Sequence, residues 1–138
     1  MHIFLISPVR NGTKEEHDLA ALYVASMKME GHTVYWPLRD TDQSDPVGKD
    51  ICEANIAAIR AADEVHVWWS PSTRGGLFDL GAAMALGKKI ELANHVDATL
   101  GKSFENVLIA ISGLPAKCGR CGMFYPPEGE TICRICAG

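Results

Sequence analysis

Val65 to Trp69, read VHVWW, offers an extended chain no polar side apart from one histidine. Successive side chains of a strand point to opposite faces, so such a run must be covered on both. A parallel sheet enclosed by helices meets that demand. The run is followed by what this architecture needs: a loop rich in Ser, Pro, Thr and Gly from Ser70 to Gly76, then a small-residue helical segment ending near Lys89.

The rest of the chain repeats the pattern. His2 to Ser7 is an apolar strand, and Pro8 to Thr13 turns into a helix with Glu15 and Glu16 near its start, Leu19, Leu22, Tyr23, Ser26 and Met27 at helical spacing, and Gly31 as its stop. His32 to Trp36 is a second strand, closed by Pro37, and Leu38 to Ser44 is a polar connection able to line a site. Asp45 and Pro46 read as the N-cap and first residue of a helix carrying Val47, Ile51, Ala54, Ala58 and Ile59. Ile90 to Ala93 and Val107 to Ser112 supply a fourth and a fifth strand. The expectation is an α/β fold: an open five-stranded parallel sheet of order 2-1-3-4-5, Rossmann/flavodoxin-like, with right-handed crossovers. The one break in composition, Gly113-Leu114-Pro115, divides the chain into an α/β domain, 1–113, and a C-terminal module, 114–138.

Composition argues against several partners. A net charge of −4 over 138 residues argues against a dedicated nucleic-acid or anionic-membrane binder. No apolar segment approaches the roughly 18 residues of a membrane span, and the N-terminus lacks a basic n-region, so the expected location is cytoplasmic. Small molecules are the default partners.

Four of the five cysteines form two pairs, Cys118-x-x-Cys121 and Cys133-x-x-Cys136, flanking a stretch suited to a hairpin. This arrangement resembles a zinc ribbon or rubredoxin-type knuckle pair. It predicts a structural zinc on four thiolates, with iron the runner-up and no organic cofactor, because so short a segment cannot bury enough apolar surface to fold unaided. The module could cover the crevice, build a dimer contact or recruit a partner. Cys52 reads as a buried small residue.

In an open α/β sheet, ligands settle at the carboxyl ends of the strands where the strand order reverses, here between strands 1 and 3. Ser7, Arg10, Asn11 and Gly12 follow strand 1; Ser70, Ser72, Arg74, Gly75 and Gly76 follow strand 3 ahead of a helix N-terminus. Backbone amides, guanidinium groups and a helix dipole suit a phosphate or a carboxylate, although neither loop is a P-loop or a GxGxxG. Asp79, read in the first turn of that helix, is the carboxylate placed to act. The dipole there favours its ionised form, which can attack or stabilise a cationic carbon. His66 reads as a packed core residue, and no histidine shows metal-ligand spacing.

The blocks ISPVRNG, GHTVYWPLRD and AADEVHVWWSPSTRGGLFDLGAAMALGKKI together resemble the nucleoside 2-deoxyribosyltransferase family and its relatives that hydrolyse 2′-deoxynucleoside 5′-monophosphates, over about residues 1 to 112. The resemblance implies cleavage or transfer at an N-glycosidic bond, with Asp79 adding to the anomeric carbon and a base or water exchanging on the sugar ester. It places Asn55 where relatives carry a carboxylate that assists the departing base, matches Ser7 and Arg10 to the opening sugar or phosphate loop, and Ser70 and Ser72 to the loop before the nucleophile. Ser103 matches a hydroxyl lent across a dimer interface, while Trp69 and Trp36 are candidates to stack on a base. Homodimers or larger assemblies are implied.

Two positions differ from the family pattern. Asp79 replaces a typical Glu and is one methylene shorter, and Asn55 cannot serve as a general acid. The alternative expectation is therefore a catalytically weak or inactive nucleotide-binding or sensing module with a partner-recruiting ribbon.

Overall fold

His2–Ile6 (β1) is buried along its length after its first residue, and its alternating side chains serve two layers. Leu5 packs with Ala20 and Val24 of Lys14–Met29 (α1), while Ile6 lies against Gly76 on the opposite face. The computed structural model describes residues 1–112, 120, 121, 132 and 134–137. The chain divides into units Met1–Asn94 and His95–Gly138.

In the first unit, β1 is flanked by Thr33–Tyr35 (β2) and Glu64–Val67 (β3), and Lys89–Leu92 (β4) pairs with β3. Every pairing is parallel, and the order is β2-β1-β3-β4. In register, Phe4 faces Val65 on one side and Tyr35 on the other. β3 is buried throughout, as its two-sided apolar pattern requires.

The helices depart from expectation in instructive places. α1 starts at a capping box, in which Thr13 accepts the Glu16 N–H and the Glu16 carboxylate accepts that of Thr13. It buries Ala20 and Val24 with Tyr23 packed beside them, leaving Leu19 and Leu22 exposed, because the sheet is met by the neighbouring stripe of the helix. The polar connection after β2 contains a short helix, Pro37–Asp40 (α2), fixed by the proline at its start and by the Asp40 carboxylate accepting the Trp36 N–H at 2.8 Å.

The next helix, Lys49–Ala61 (α3), begins after Gly48 rather than at Asp45. Gly48 adopts φ of 93°, open to glycine, and Asp45 instead accepts the N–H groups of Val47 and Asp50. Gly75–Ala85 (α4) packs along α3.

In the second unit, Phe104–Ile111 is a helix (α5), so the expected fifth strand over Val107 to Ser112 is corrected. A short apolar run suits a buried strand or a buried helix equally, and a local cap decides: Ser103 Oγ accepts the Asn106 N–H at 3.0 Å. Among the described residues the sheet therefore has four strands. Arg134–Ala137 (α6) is the last element, and the expected boundary at 113/114 lies outside the described residues. Among the described residues no helix is long and apolar enough to cross a membrane.

Candidate active site

The loops at the carboxyl ends of β1, β2 and β3 converge with α3 and the start of α4 around a cavity of about 440 Å³, within the range of small-molecule sites. Ser7, Arg10, Asn11, Ser72, Gly75, Gly76, Asn55 and Asp79 all line it, as do Gln43, Cys52, Thr73, Arg74 and Phe78. This is the switch point of the strand order.

Asp79 is the one carboxylate that lines the cavity among the described residues. The helix starts at Gly75, so the carboxylate lies in the second turn, not the first, and burial governs it rather than the dipole. Burial pushes its carboxyl up to about 6, opposed by the side-chain hydrogen bond from Asn55. Asn55 sits one helical turn before Ile59 on the buried face of α3, and the packing of α3 on α4 brings it to Asp79. Its Nδ2 lies 3.4 Å from Oδ1 and 3.3 Å from Oδ2, straddling the carboxylate. Behind the amide, Thr41 Oγ1 donates to Asn55 Oδ1 at 2.8 Å, and the Tyr35 hydroxyl meets Thr41 Oγ1 at 2.7 Å.

The loop ahead of α4 brings hydroxyls and backbone amides together. Gly76 is the residue that fits there, since a Cβ would collide with the Thr73 methyl and with Ile6. Thr73 Oγ1 is buried and has no hydrogen-bond partner among the described residues, a costly state for a polar atom unless a ligand fills it. Arg10 and Arg74 give the cavity positive charge next to these groups.

Other candidate residues lie elsewhere. Gly12 is outside the cavity lining and packs beneath the His17 ring. Ser70 is also outside it; its hydroxyl meets Ser72 Oγ at 2.9 Å, and its hydrogen bond to Glu16 holds that carboxyl below the usual range. Trp69 is outside it too, its backbone clamped by Asn94, which accepts from its N–H and donates to its carbonyl, each at 2.8 Å. The Trp36 indole donates to Ser7 Oγ at 3.0 Å and packs on the α1 face. Ser103 belongs to the second unit as the α5 cap. Of the four paired cysteines, Cys121 and Cys136 are described, whereas Cys118 and Cys133 lie outside the described residues.

The sequence matches the profile of the nucleoside 2-deoxyribosyltransferase family over residues 3–117. The chain belongs to this family. No curated protein matches the sequence. Among solved structures, it is similar to the 2-deoxyribosyltransferase of Bacillus psychrosaccharolyticus, with 24% identity over 67% of this chain and 71% of that one, at a TM-score of 0.52. The 2-desoxiribosyltransferase of Leishmania mexicana gives 24% identity and a TM-score of 0.51 over 66% of this chain, which spans 62% of that protein's length. The CMP N-glycosidase of Clostridium botulinum gives 18% identity and a TM-score of 0.56, covering 81% of this chain and 83% of its own. At these identities the likeness shows the fold. The proteins named are deoxyribosyltransferases and a CMP N-glycosidase; in this deoxyribosyltransferase-family chain the cavity lies at the carboxyl ends of the parallel strands.

Three residues at or behind the cavity escape a reading of the sequence alone. Thr41 and Tyr35 reach Asn55 through a loop and a sheet edge, with no local spacing to announce the contact. Thr73 is legible only as one of several hydroxyl residues in the Ser70–Gly76 loop, and its unpartnered oxygen is a product of packing.

Proposed function

We propose that the protein cleaves or transfers at the N-glycosidic bond of a nucleoside 5′-monophosphate, with Asp79 as nucleophile. The observation that carries this reading is the single buried carboxylate which, among the described residues, faces a cavity also lined by two arginines. The amides of Gly75 and Gly76, Thr73 Oγ1, Arg10 and Arg74 offer a phosphate its hydrogen bonds and charge, and Ser7, Asn11 and Ser72 offer the sugar polar contacts.

In the reaction, an Asp79 oxygen bonds to C1′ as the C1′–N bond breaks. The electron pair leaves with the base, which takes its proton from water. Water, or a second base, then attacks C1′ and releases the carboxylate. The nucleophile must be ionised, so its raised pKa predicts activity that climbs with pH through about 6. Gln43, held by the carbonyls of Pro37 and Thr41 at 3.2 and 3.3 Å, lines the same cavity at the far end of the β2 loop.

The test is incubation with nucleosides and their 5′-monophosphates, with and without a second free base. Base release or exchange that disappears in Asp79→Ala supports the reading. Thermal stabilisation by a nucleotide without any product would replace it with the sensing module, which the shorter carboxylate and its occupation by the Asn55 amide favour.

The domain 1–113 would then carry the chemistry. We propose the module 114–138 as a structural metal site, with Cys118, Cys121, Cys133 and Cys136 holding zinc, or iron as the second choice. Four thiolates form a closed tetrahedral donor set, and the Arg120 guanidinium supports the arrangement by donating to the Cys136 carbonyl at 2.6 Å. Purified protein holding clearly less than one metal ion per chain would overturn it. A cytoplasmic homo-oligomer is the accompanying expectation, checked by light scattering and cell fractionation.

A further inference from the structure

We propose that Tyr35 and Thr41 are positioning residues for the nucleophile, forming with Asn55 a one-way hydrogen-bond relay that ends on the Asp79 carboxylate. The inference rests on the proposed glycosidic chemistry for its purpose, but on geometry alone for its existence.

The direction of the relay follows from the donor inventory. A threonine hydroxyl has one proton, and Thr41 gives it to Asn55 Oδ1, so the 2.7 Å contact with Tyr35 is completed by the tyrosine O–H donating to Thr41. With its carbonyl so engaged, the Asn55 amide turns both Nδ2 protons away from Thr41, and the nitrogen lies within 3.4 Å of each Asp79 oxygen. A flipped amide would put a carbonyl against the carboxylate, an oxygen–oxygen contact with no proton between the two groups when Asp79 is ionised. Thr41, Asn55 and Asp79 are each buried, which limits the competition of water for these bonds.

The first two members of the relay are anchored by the fold. Tyr35 closes β2, opposite Phe4 in the β1–β2 register, and its ring stacks on that of Phe4 with centroids 5.5 Å apart and planes 12° from parallel. Thr41 ends the short helix α2, with its N–H donating to the Pro37 carbonyl at 3.1 Å. The sheet edge thus reports through α2 and α3 to the side chain on α4. A carboxylate one methylene shorter than glutamate has less reach, and holding it at one angle matters correspondingly more.

The ionisable groups facing Asp79 around the cavity are Arg10 from the β1–α1 loop, Arg74 at the start of α4 and Cys52 from α3. Among the described residues no charged side chain of β1 or β4, which also pack on α4, lines the cavity. The amide is the hydrogen-bond donor that favours the ionised carboxylate, so freeing it shifts the balance toward the acid.

The experiment follows the Asp79 carboxyl by ¹³C NMR titration in the full-length protein without substrate, for wild type, Thr41→Val and Thr41→Ser. It is paired with pH profiles of base release from nucleoside monophosphates. The near-isosteric Thr41→Val is expected to raise the Asp79 midpoint by roughly one unit and to move the acid limb of kcat/KM by the same amount, with kcat falling about tenfold and KM little changed. Thr41→Ser restores the hydroxyl and returns both midpoints to the wild-type value. Tyr35→Phe, which leaves the Thr41–Asn55 bond intact, shifts them less and serves as the second variant if Thr41→Val does not fold.

An unmoved Asp79 midpoint in Thr41→Val and Tyr35→Phe, or a Thr41→Ser that behaves like the valine, overturns the relay whether or not base is released. A moved midpoint in a protein that releases no base upholds the relay and sinks the glycosidic reading instead.

Discussion

The two faces of the sheet each hold a polar cluster around a buried carboxylate, Glu64 on one and Asp79 on the other, and treat charge in opposite ways. On the α1 face, His66 Nε2 lies 2.9 Å from Glu64, and Lys89 reaches Glu64 at 3.2 Å and Glu91 at 3.0 Å, while Tyr23 closes the other side of the histidine ring. Glu64 is held below the usual carboxylate range by the His66 hydrogen bond, with Lys89 adding to it. On the α3/α4 face, Asp79 has one amide beside it, and its carboxyl is pushed up to about 6. Charges that are matched serve the fold; a buried carboxylate left unmatched costs stability and is kept for chemistry. Glu64, His66 and Glu91 bring atoms suited to a cation within 4.8 Å of one another, but Lys89 already supplies the positive charge.

The largest expected effect is at Asp79. Asp79→Asn should lower turnover about a thousandfold or more, since it removes the nucleophile proposed above. It should also stabilise the fold. A carboxyl whose folded pKa of about 6 exceeds the ordinary value of 3.8 binds its proton more tightly folded than unfolded, so ionisation removes up to about 3 kcal/mol as pH rises from 4 to 6. Denaturant melts should therefore show the Asp79→Asn variant more stable than wild type at pH 7 to 8, and no different below pH 4. Equal stability at every pH would mean that Asp79 is solvated and unfit for the role.

Glu64→Gln tests the other face and should show the reverse sign. Its folded pKa is depressed, so its contribution is present above the ordinary value of 4.5 and disappears as pH falls through the folded value. A loss of about 2 kcal/mol at pH 7, shrinking in acid, with base release unaltered, is the expected outcome of chemical denaturation and assay together. Lost activity at full stability would make the α1-face cluster part of the site and dissolve the contrast.

Much of this contrast is half legible in the chain. The two-sided apolar run of β3 announces a central strand, and the Ser7–Gly12 and Ser70–Gly76 loops fall where the strand order reverses, so most of their residues line one cavity. The run at Val107 to Ser112 misleads, because apolarity without alternation does not separate strand from helix, and the deciding signal is the hydroxyl at Ser103. Asp79 is visible as a residue but not as an environment: Arg74 caps α4 without a side-chain hydrogen bond, so the helix start, and with it the turn that holds the carboxylate, leaves no mark in the sequence. The Asn55–Asp79 and Thr41–Asn55 contacts join elements 24 and 14 residues apart, a product of helix packing and not of spacing.

Two hydroxyls, those of Thr73 and Ser103, differ in the same way on a smaller scale. Thr73 Oγ1 is buried without a partner among the described residues, and replacing such a group by a similarly shaped methyl removes a desolvated atom and nothing else. Thr73→Val should leave the melting temperature unchanged or slightly higher while raising KM for a 5′-monophosphate about tenfold, with a smaller effect on the nucleoside. A lower melting temperature with unchanged KM would mark the hydroxyl as structural.

Ser103 is the partnered counterpart and should give the smallest change. Its Oγ accepts the Asn106 N–H at 3.0 Å and the Thr99 hydroxyl at 2.6 Å, so both of its acceptor positions serve the start of α5. Removing an N-cap hydroxyl costs about 1 kcal/mol, and Ser103→Ala is expected to lose that much in denaturant melts, with Ser103→Asp, which keeps an acceptor at the helix start, recovering most of it. Because these bonds are internal to the second unit, base release per folded molecule should stay at the wild-type level. A Ser103→Ala protein of full stability that binds nucleotide more weakly would assign this hydroxyl to the substrate, and would place beside Thr73 a second group whose partner arrives only with the ligand.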